Sequence, residues 1–134
     1  MKLNPTEWLM IGALAMVPGC VVEHHRTPAA SEGYLTVHWS IGNVQDPRDC
    51  RAFGVDAIDV FVTYASGAVV GDFYEYCDVF VTSISLAPGA YDASAVLVDA
   101  ADYALTTSVD LGRFRVYGRD EVVIPTDFPI DSFY

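Results

Sequence analysis

The sequence predicts an all-β protein, an antiparallel two-sheet sandwich of seven or eight short strands with one helical turn. Three observations predict it. From Tyr34 onward, apolar residues recur with a period of two, the signature of strands with one buried face. Turn-forming residues interrupt that pattern about every ten residues, the spacing of sandwiches and small barrels. The chain is 52% hydrophobic, enough to fill a core, and after residue 33 there is no room for the crossover helices of a parallel α/β fold.

The elements follow in order. Leu35, Val37, Trp39 and Ile41 alternate with Thr36, His38 and Ser40 in the first strand. The period then breaks. Asp46 can cap the first amides of a helix, and Pro47 fits the first helical position. Asp49 complements the positive N-terminal end, and Gly54 can take the left-handed conformation that ends a helix, so a helical turn is expected over 47–53. Ile58, Val60, Val62 and Tyr64 then alternate with Asp59, Phe61 and Thr63. After Ser66-Gly67 a weaker strand is expected over 69–76. Phe80, Thr82, Ile84 and Leu86 form the next strand, and Pro88-Gly89 suits a type II turn.

Tyr91, Ala93, Ala95 and Leu97 share one face of the strand that follows, opposite Asp92, Ser94 and Val96. The odd set is expected to face the other sheet, with the Tyr91 hydroxyl reaching a backbone partner. A turn over 99–102, weaker strands over 105–109 and 114–117 broken by Gly112, and a hairpin at Gly118-Arg119-Asp120 come next. Val122, Ile124, Thr126 and Phe128 complete the alternation.

The first residues read as an address. Leu9 to Val17 is an uncharged apolar run, too short to cross a membrane as a helix and the length of a signal-peptide core, behind a short head carrying Lys2. It ends Met16-Val17-Pro18-Gly19-Cys20, which resembles the lipobox of bacterial lipoproteins, with Val17, Gly19 and Cys20 in the matching positions. The resemblance implies a lipidated Cys20 that becomes the N-terminus, and several acyl chains on one cysteine anchor stably. An ordinary signal peptide and a buried apolar helix are the alternatives. The expected organisation is a signal peptide over 1–19, a flexible tether over 20–33 containing His24 and His25, and a β-sandwich domain over 34–134. The expected location is the cell envelope, at the outer membrane.

With Cys20 lipidated, Cys50 and Cys77 remain in a compartment where disulfides form and persist. Their pairing stabilises by about 3–4 kcal/mol on a chain-entropy account; two free buried thiols are the alternative. The set Leu35-Thr36-Val37-His38-Trp39, Cys50, Gly54-Val55-Asp56-Ala57-Ile58, Pro88-Gly89-Ala90-Tyr91, Leu97-Val98-Asp99-Ala100 and Asp127-Phe128-Pro129 resembles uncharacterised Gram-negative lipoproteins. The Pro-Gly-Ala-Tyr turn and its strand also resemble prealbumin-like and carboxypeptidase-regulatory-like sandwich domains. These resemblances imply an Ig-like or prealbumin-like fold and an envelope address, and no activity.

Charge and chemistry narrow the function. Eighteen acids against seven bases give a net charge of −11, which repels phosphate backbones and argues against nucleic acid as a partner. No enzyme is expected. His38 is the one histidine of the body, no Gly-x-Ser-x-Gly elbow or phosphate-binding loop is present, and no cofactor is implied. Asp72, Glu75 and Asp78, and Asp99 with Asp102, are weak calcium candidates, with solvated acids as the alternative. Phe61, Phe73, Tyr74 and Tyr76 either form a binding face for an envelope protein or carbohydrate, or fill the second sheet's core. The sequence therefore points to a lipid-anchored, non-catalytic binding or structural module. The alternatives are an accessory subunit of an envelope complex and, more remotely, a carboxylate-based hydrolase.

Overall fold

The computed structural model describes residues 31–134, so the signal segment, Cys20 and the tether up to residue 30 lie outside the described residues. Seven strands form two sheets: β1 (Gly33–Ile41), β2 (Ala57–Tyr64), β3 (Val69–Tyr76), β4 (Val81–Leu86), β5 (Gly89–Val98), β6 (Val109–Val116) and β7 (Glu121–Phe128). One sheet has the order β4-β1-β7 and the other β3-β2-β5-β6. The all-β sandwich expected from the period of two is the observed architecture.

One pair departs from an all-antiparallel sandwich. β1 and β7 are parallel, with Leu35 beside Val122 and Ile41 beside Phe128. The reason lies in the 117–120 turn. It carries the chain from β6 in one sheet to β7 in the other, at the end where β1 begins, so β7 must run in β1's direction. Gly118-Arg119-Asp120 is therefore a crossing between sheets and not a hairpin.

The core is the sum of the inward faces. Leu35, Val37, Trp39 and Ile41 from β1 meet Ile58, Val60 and Val62 from β2 and Tyr91, Ala93, Ala95 and Leu97 from β5, all of them buried. The odd face of β5 is thus the inner one, and the Tyr91 hydroxyl donates to the Ala87 carbonyl. Its ring stacks between Tyr64 and Phe114, with centroids 5.5 and 5.7 Å away.

The helical turn forms as its residues dictate. α1 (Pro47–Phe53) starts from Asp46, whose carboxylate accepts the Arg48 amide, and stops at Gly54 in the left-handed region at φ 74°. Within it, Cys50 bonds to Cys77 with Cα atoms 6.0 Å apart, pinning the helix to a 3₁₀ turn (Cys77–Val79) after β3.

Three local expectations fail. Residues 105–108 form no strand of either sheet, and Val109 already belongs to β6. Thr106 instead bridges Phe133, and its buried hydroxyl accepts the Leu97 amide at 3.2 Å, so the C-terminal segment supplies pairing that a strand was expected to supply. Gly112 does not break the chain. It sits inside β6 at φ 87°, where the pairing with β5 shifts register, so the strand over 114–117 is the end of a longer one. Gly89 is already paired with Val116 in β5 and has no positive φ, so Pro88-Gly89 is not a type II turn. The tether boundary moves too: β1 starts at Gly33, where any Cβ would collide with the Tyr117 carbonyl and approach that of Asp120 to 2.9 Å.

Leu97 is wholly buried and Ser94 lies on the opposite face of the same strand. Leu97→Ala should destabilise the protein by about 2–5 kcal/mol in urea melts. Ser94→Ala should change it by about 0.5 kcal/mol or less. Equal losses would contradict the observed register.

Candidate functional site

The helix-bearing end of the sandwich holds a pocket of about 390 Å³. Three pieces of chain build it. β3 contributes Tyr74, Glu75 and Tyr76; the approach to β2 contributes Asp56 and Ala57; the end of β5 and its turn contribute Val98, Asp99, Ala100 and Asp102. Asp56 is held by its backbone, its amide donating to the Val98 carbonyl at 2.9 Å and its carbonyl accepting the Cys77 amide at 3.0 Å. The pocket floor is therefore tied both to β5 and to the disulfide.

The Asp99 turn is self-supporting. Its carboxylate accepts the Ala101 and Tyr103 amides, each at 2.9 Å, and this leaves Asp102 in the left-handed region at φ 70°. There the Asp102 carboxylate faces the Tyr74 hydroxyl at 3.4 Å. Tyr74 and Tyr76 are about half and two-thirds exposed, and both rings belong to the pocket lining.

Beside the pocket, on the outer face of the four-stranded sheet, the calcium candidate Asp72 lies near Asp59, a carboxyl that the sequence did not single out. Asp59 sits in the middle of β2 directly opposite Tyr74, and Asp72 lies opposite the neighbouring Phe61. One Asp59 oxygen is buried without a hydrogen-bond partner. Burial pushes the Asp59 carboxyl up to about 7; the neighbouring Asp72 carboxylate pushes the same way, and the Tyr74 hydroxyl pulls it back in part. Partial desolvation of the Tyr74 hydroxyl, with the charges of Asp59, Asp102 and Asp72, raises the phenol to about 12.

The four aromatic candidates separate. Tyr74 and Tyr76 line the pocket, while Phe73 on the alternate phase of β3 packs against the core. Phe61 is half-buried and lines a different shallow groove with Thr63, Asp92 and Asp110. The acidic candidates separate as well. Glu75, Asp99 and Asp102 meet at the pocket, Asp72 lies beside Asp59, and Asp78 lines a second cavity over the disulfide with Pro47 and Arg51. Among the described residues, no three His, Cys, Asp or Glu side chains are arranged to hold a metal ion. His38 is exposed on the outer face of the other sheet, between Val81 and Pro125. No model of a known protein family matches the chain, and no curated protein matches it.

The raised Asp59 carboxyl carries a pH dependence of defined sign. Folding favours its neutral form, so the stability it contributes is complete below the ordinary Asp range near 3.8 and is lost as pH rises through about 7. Asp46 and Asp92, lowered by Arg48 and Arg113, act with the opposite sign and only in acid. Urea midpoints should therefore fall between pH 5 and pH 8, and Asp59→Asn should flatten that slope. An unchanged slope in the variant would contradict the assignment.

Proposed function

We propose that this protein is a non-catalytic binding module of the cell envelope, held by lipid on Cys20, whose tyrosine-walled pocket takes a Lys or Arg side chain of a partner protein. The observation that carries the reading is the composition of the lining: four acidic residues, Asp56, Glu75, Asp99 and Asp102, two tyrosines, and no Lys or Arg. A cation is drawn to an acidic lining that has no basic residue of its own and can lie against an aromatic face. A neutral sugar offers the rings stacking and leaves the charge uncompensated.

Magnitudes set the kind of partner. Two rings at about 0.5–1 kcal/mol each and four carboxylates at no more than about 1 kcal/mol each give at most about 6 kcal/mol. That corresponds to a dissociation constant no tighter than roughly 40 µM. A free organic cation would be held weakly, so the pocket suits an anchor residue within a wider protein contact. The raised Asp59 carboxyl beside Asp72 favours a second reading, carboxylate-based hydrolysis, since acids with shifted pKa values often mark active sites. Against it, neither residue lines the pocket, where a substrate would have to lie.

Titrating isotope-labelled protein with short Lys- or Arg-bearing peptides should shift the amides of residues 74–76 and 99–102. The affinity should fall as salt rises and should be lost in Asp102→Asn/Tyr76→Ala. A peptide with acetylated lysine should not bind. Shifts from a neutral oligosaccharide, with none from basic peptides, would overturn the reading.

A further inference from the structure

The end of the sandwich opposite the pocket has a different surface. It gathers the start of β1, the 64–69 hairpin, the 86–89 turn and the 117–120 crossing. Tyr34, Tyr64 and Tyr117 are exposed there by 47%, 46% and 60%, and Val69 by 62%. Two of the three loops, Ala65-Ser66-Gly67-Ala68 and Ala87-Pro88-Gly89, carry no charge. The charged groups of this end are Glu32, Arg115, Arg119, Asp120 and Glu121. Glu32 is engaged by Ser85, and Glu121 by Thr36 at 2.6 Å.

We propose that this tyrosine-bearing end rests on the lipid surface, with Tyr34, Tyr64 and Tyr117 in the headgroup region. The inference rests on Cys20 being the lipid anchor and adds a fixed orientation to it. Three observations carry it. The first is where the chain enters. The Arg119 amide and guanidinium hold the Glu32 carbonyl and the Ser31 hydroxyl, at 2.9 and 3.1 Å, so the path to Cys20 leaves from this end. The residues between Cys20 and Ser31 reach at most about 40 Å when fully extended, so the point of entry stays within that distance of the bilayer and the tyrosines and charges decide which end turns towards it. The second is the side chain type: tyrosine presents an apolar ring and a polar tip, the pairing found at membrane–water interfaces.

The third is charge. Asp49, Asp56, Asp78, Asp99, Asp102 and Asp131 outnumber Arg48 and Arg51 at the opposite end, and an anionic leaflet repels that net negative charge within a Debye length of about 10 Å. β1, with nine residues, spans about 30 Å, so standing on the tyrosine end places those acids some three Debye lengths from the surface. The pocket then faces away from the membrane, where a partner can reach it.

The test uses protein purified from the membranes of a Gram-negative host and placed in phosphatidylethanolamine–phosphatidylglycerol nanodiscs containing a headgroup-nitroxide lipid. Tyrosine ring signals are read by NMR. Intact mass at Cys20 reports separately on the anchor. If Cys20 is bare, coupling its thiol to a maleimide lipid supplies the anchor, because Cys50 and Cys77 are bonded to each other. The rings of Tyr34, Tyr64 and Tyr117 should lose most of their intensity while those of Tyr76, Tyr103 and Tyr134 keep theirs. Replacing the three docking tyrosines by Ser should release the fixed orientation, so that the rings of Tyr76, Tyr103 and Tyr134 lose intensity in the variant. Equal loss at all rings, or greater loss at Tyr76, Tyr103 and Tyr134, would overturn the proposal. So would loss of the first three without nitroxide, which would assign this end to a second copy of the chain.

Discussion

The indole of Trp39 lies wholly inside the sandwich, and its Nε1–H donates to the carbonyl of Cys77, 3.2 Å away. The same residue's amide donates to the Phe80 carbonyl, its carbonyl accepts from the Gln45 side chain, and its ring packs against that of Phe80. One residue of β1 thus joins the inner face of one sheet to the turn that ends β3 in the other. Through Cys77 it also reaches the disulfide and α1. Phe80 takes the left-handed conformation at φ 62°, which for a bulky residue costs about 1–3 kcal/mol and persists only where the surroundings demand it. Burial of the Phe80 and Trp39 rings is what holds it there.

This junction gives the pocket its shape. Tyr76 precedes Cys77 directly, and the Cys77 amide holds the Asp56 carbonyl, so two lining residues are placed by the chain that the indole and the disulfide secure. β3 is an edge strand with its own irregularity where Val62 meets Gly71 and Thr63 meets Val69. Its far end would be free to splay without that fastening. The stacked rings of Phe53 and Phe133, 4.6 Å apart, close the same end by laying the C-terminal segment on α1. The opposite end depends on Tyr91, which supports Tyr64 from beneath. The two ends therefore differ in chemistry because different aromatic residues organise them.

Much of the fold was legible because its determinants are local. Asp46, Pro47 and Gly54 specify the helix within a few residues, and the alternation from Tyr91 to Leu97 specifies an inner face whatever its partner. The Cys50–Cys77 disulfide was expected from the two cysteines left once Cys20 was read as lipidated and the chain as exported. What depends on distant pairing was not legible. Leu105 to Val109 alternates like a strand, yet Thr106 pairs with Phe133 almost at the C-terminus. The site was hidden for the same reason. Asp59 reads as an ordinary outward residue of β2, and only the β2–β3 register sets it opposite Tyr74 and near Asp72. Asp56 stood in the sequence only as part of the Gly54–Ile58 stretch, with nothing to mark it as a pocket residue. Tyr74 and Tyr76 could be separated from Phe73 only once β3 had an inside and an outside.

The central claim is that the Trp39–Cys77 junction fastens the pocket end. Trp39→Phe keeps an aromatic ring, removes the indole donor and leaves the buried Cys77 carbonyl unpaired, a loss of about 1–3 kcal/mol. Amide hydrogen exchange measured on the folded variant reads this position by position. The Val55 and Cys77 amides, which bond to Cys50 and Asp56, should exchange about tenfold faster or more, well beyond any change at Ala93 and Ala95 in β5. The same factor at every amide, or unchanged protection at Cys77, would contradict the account.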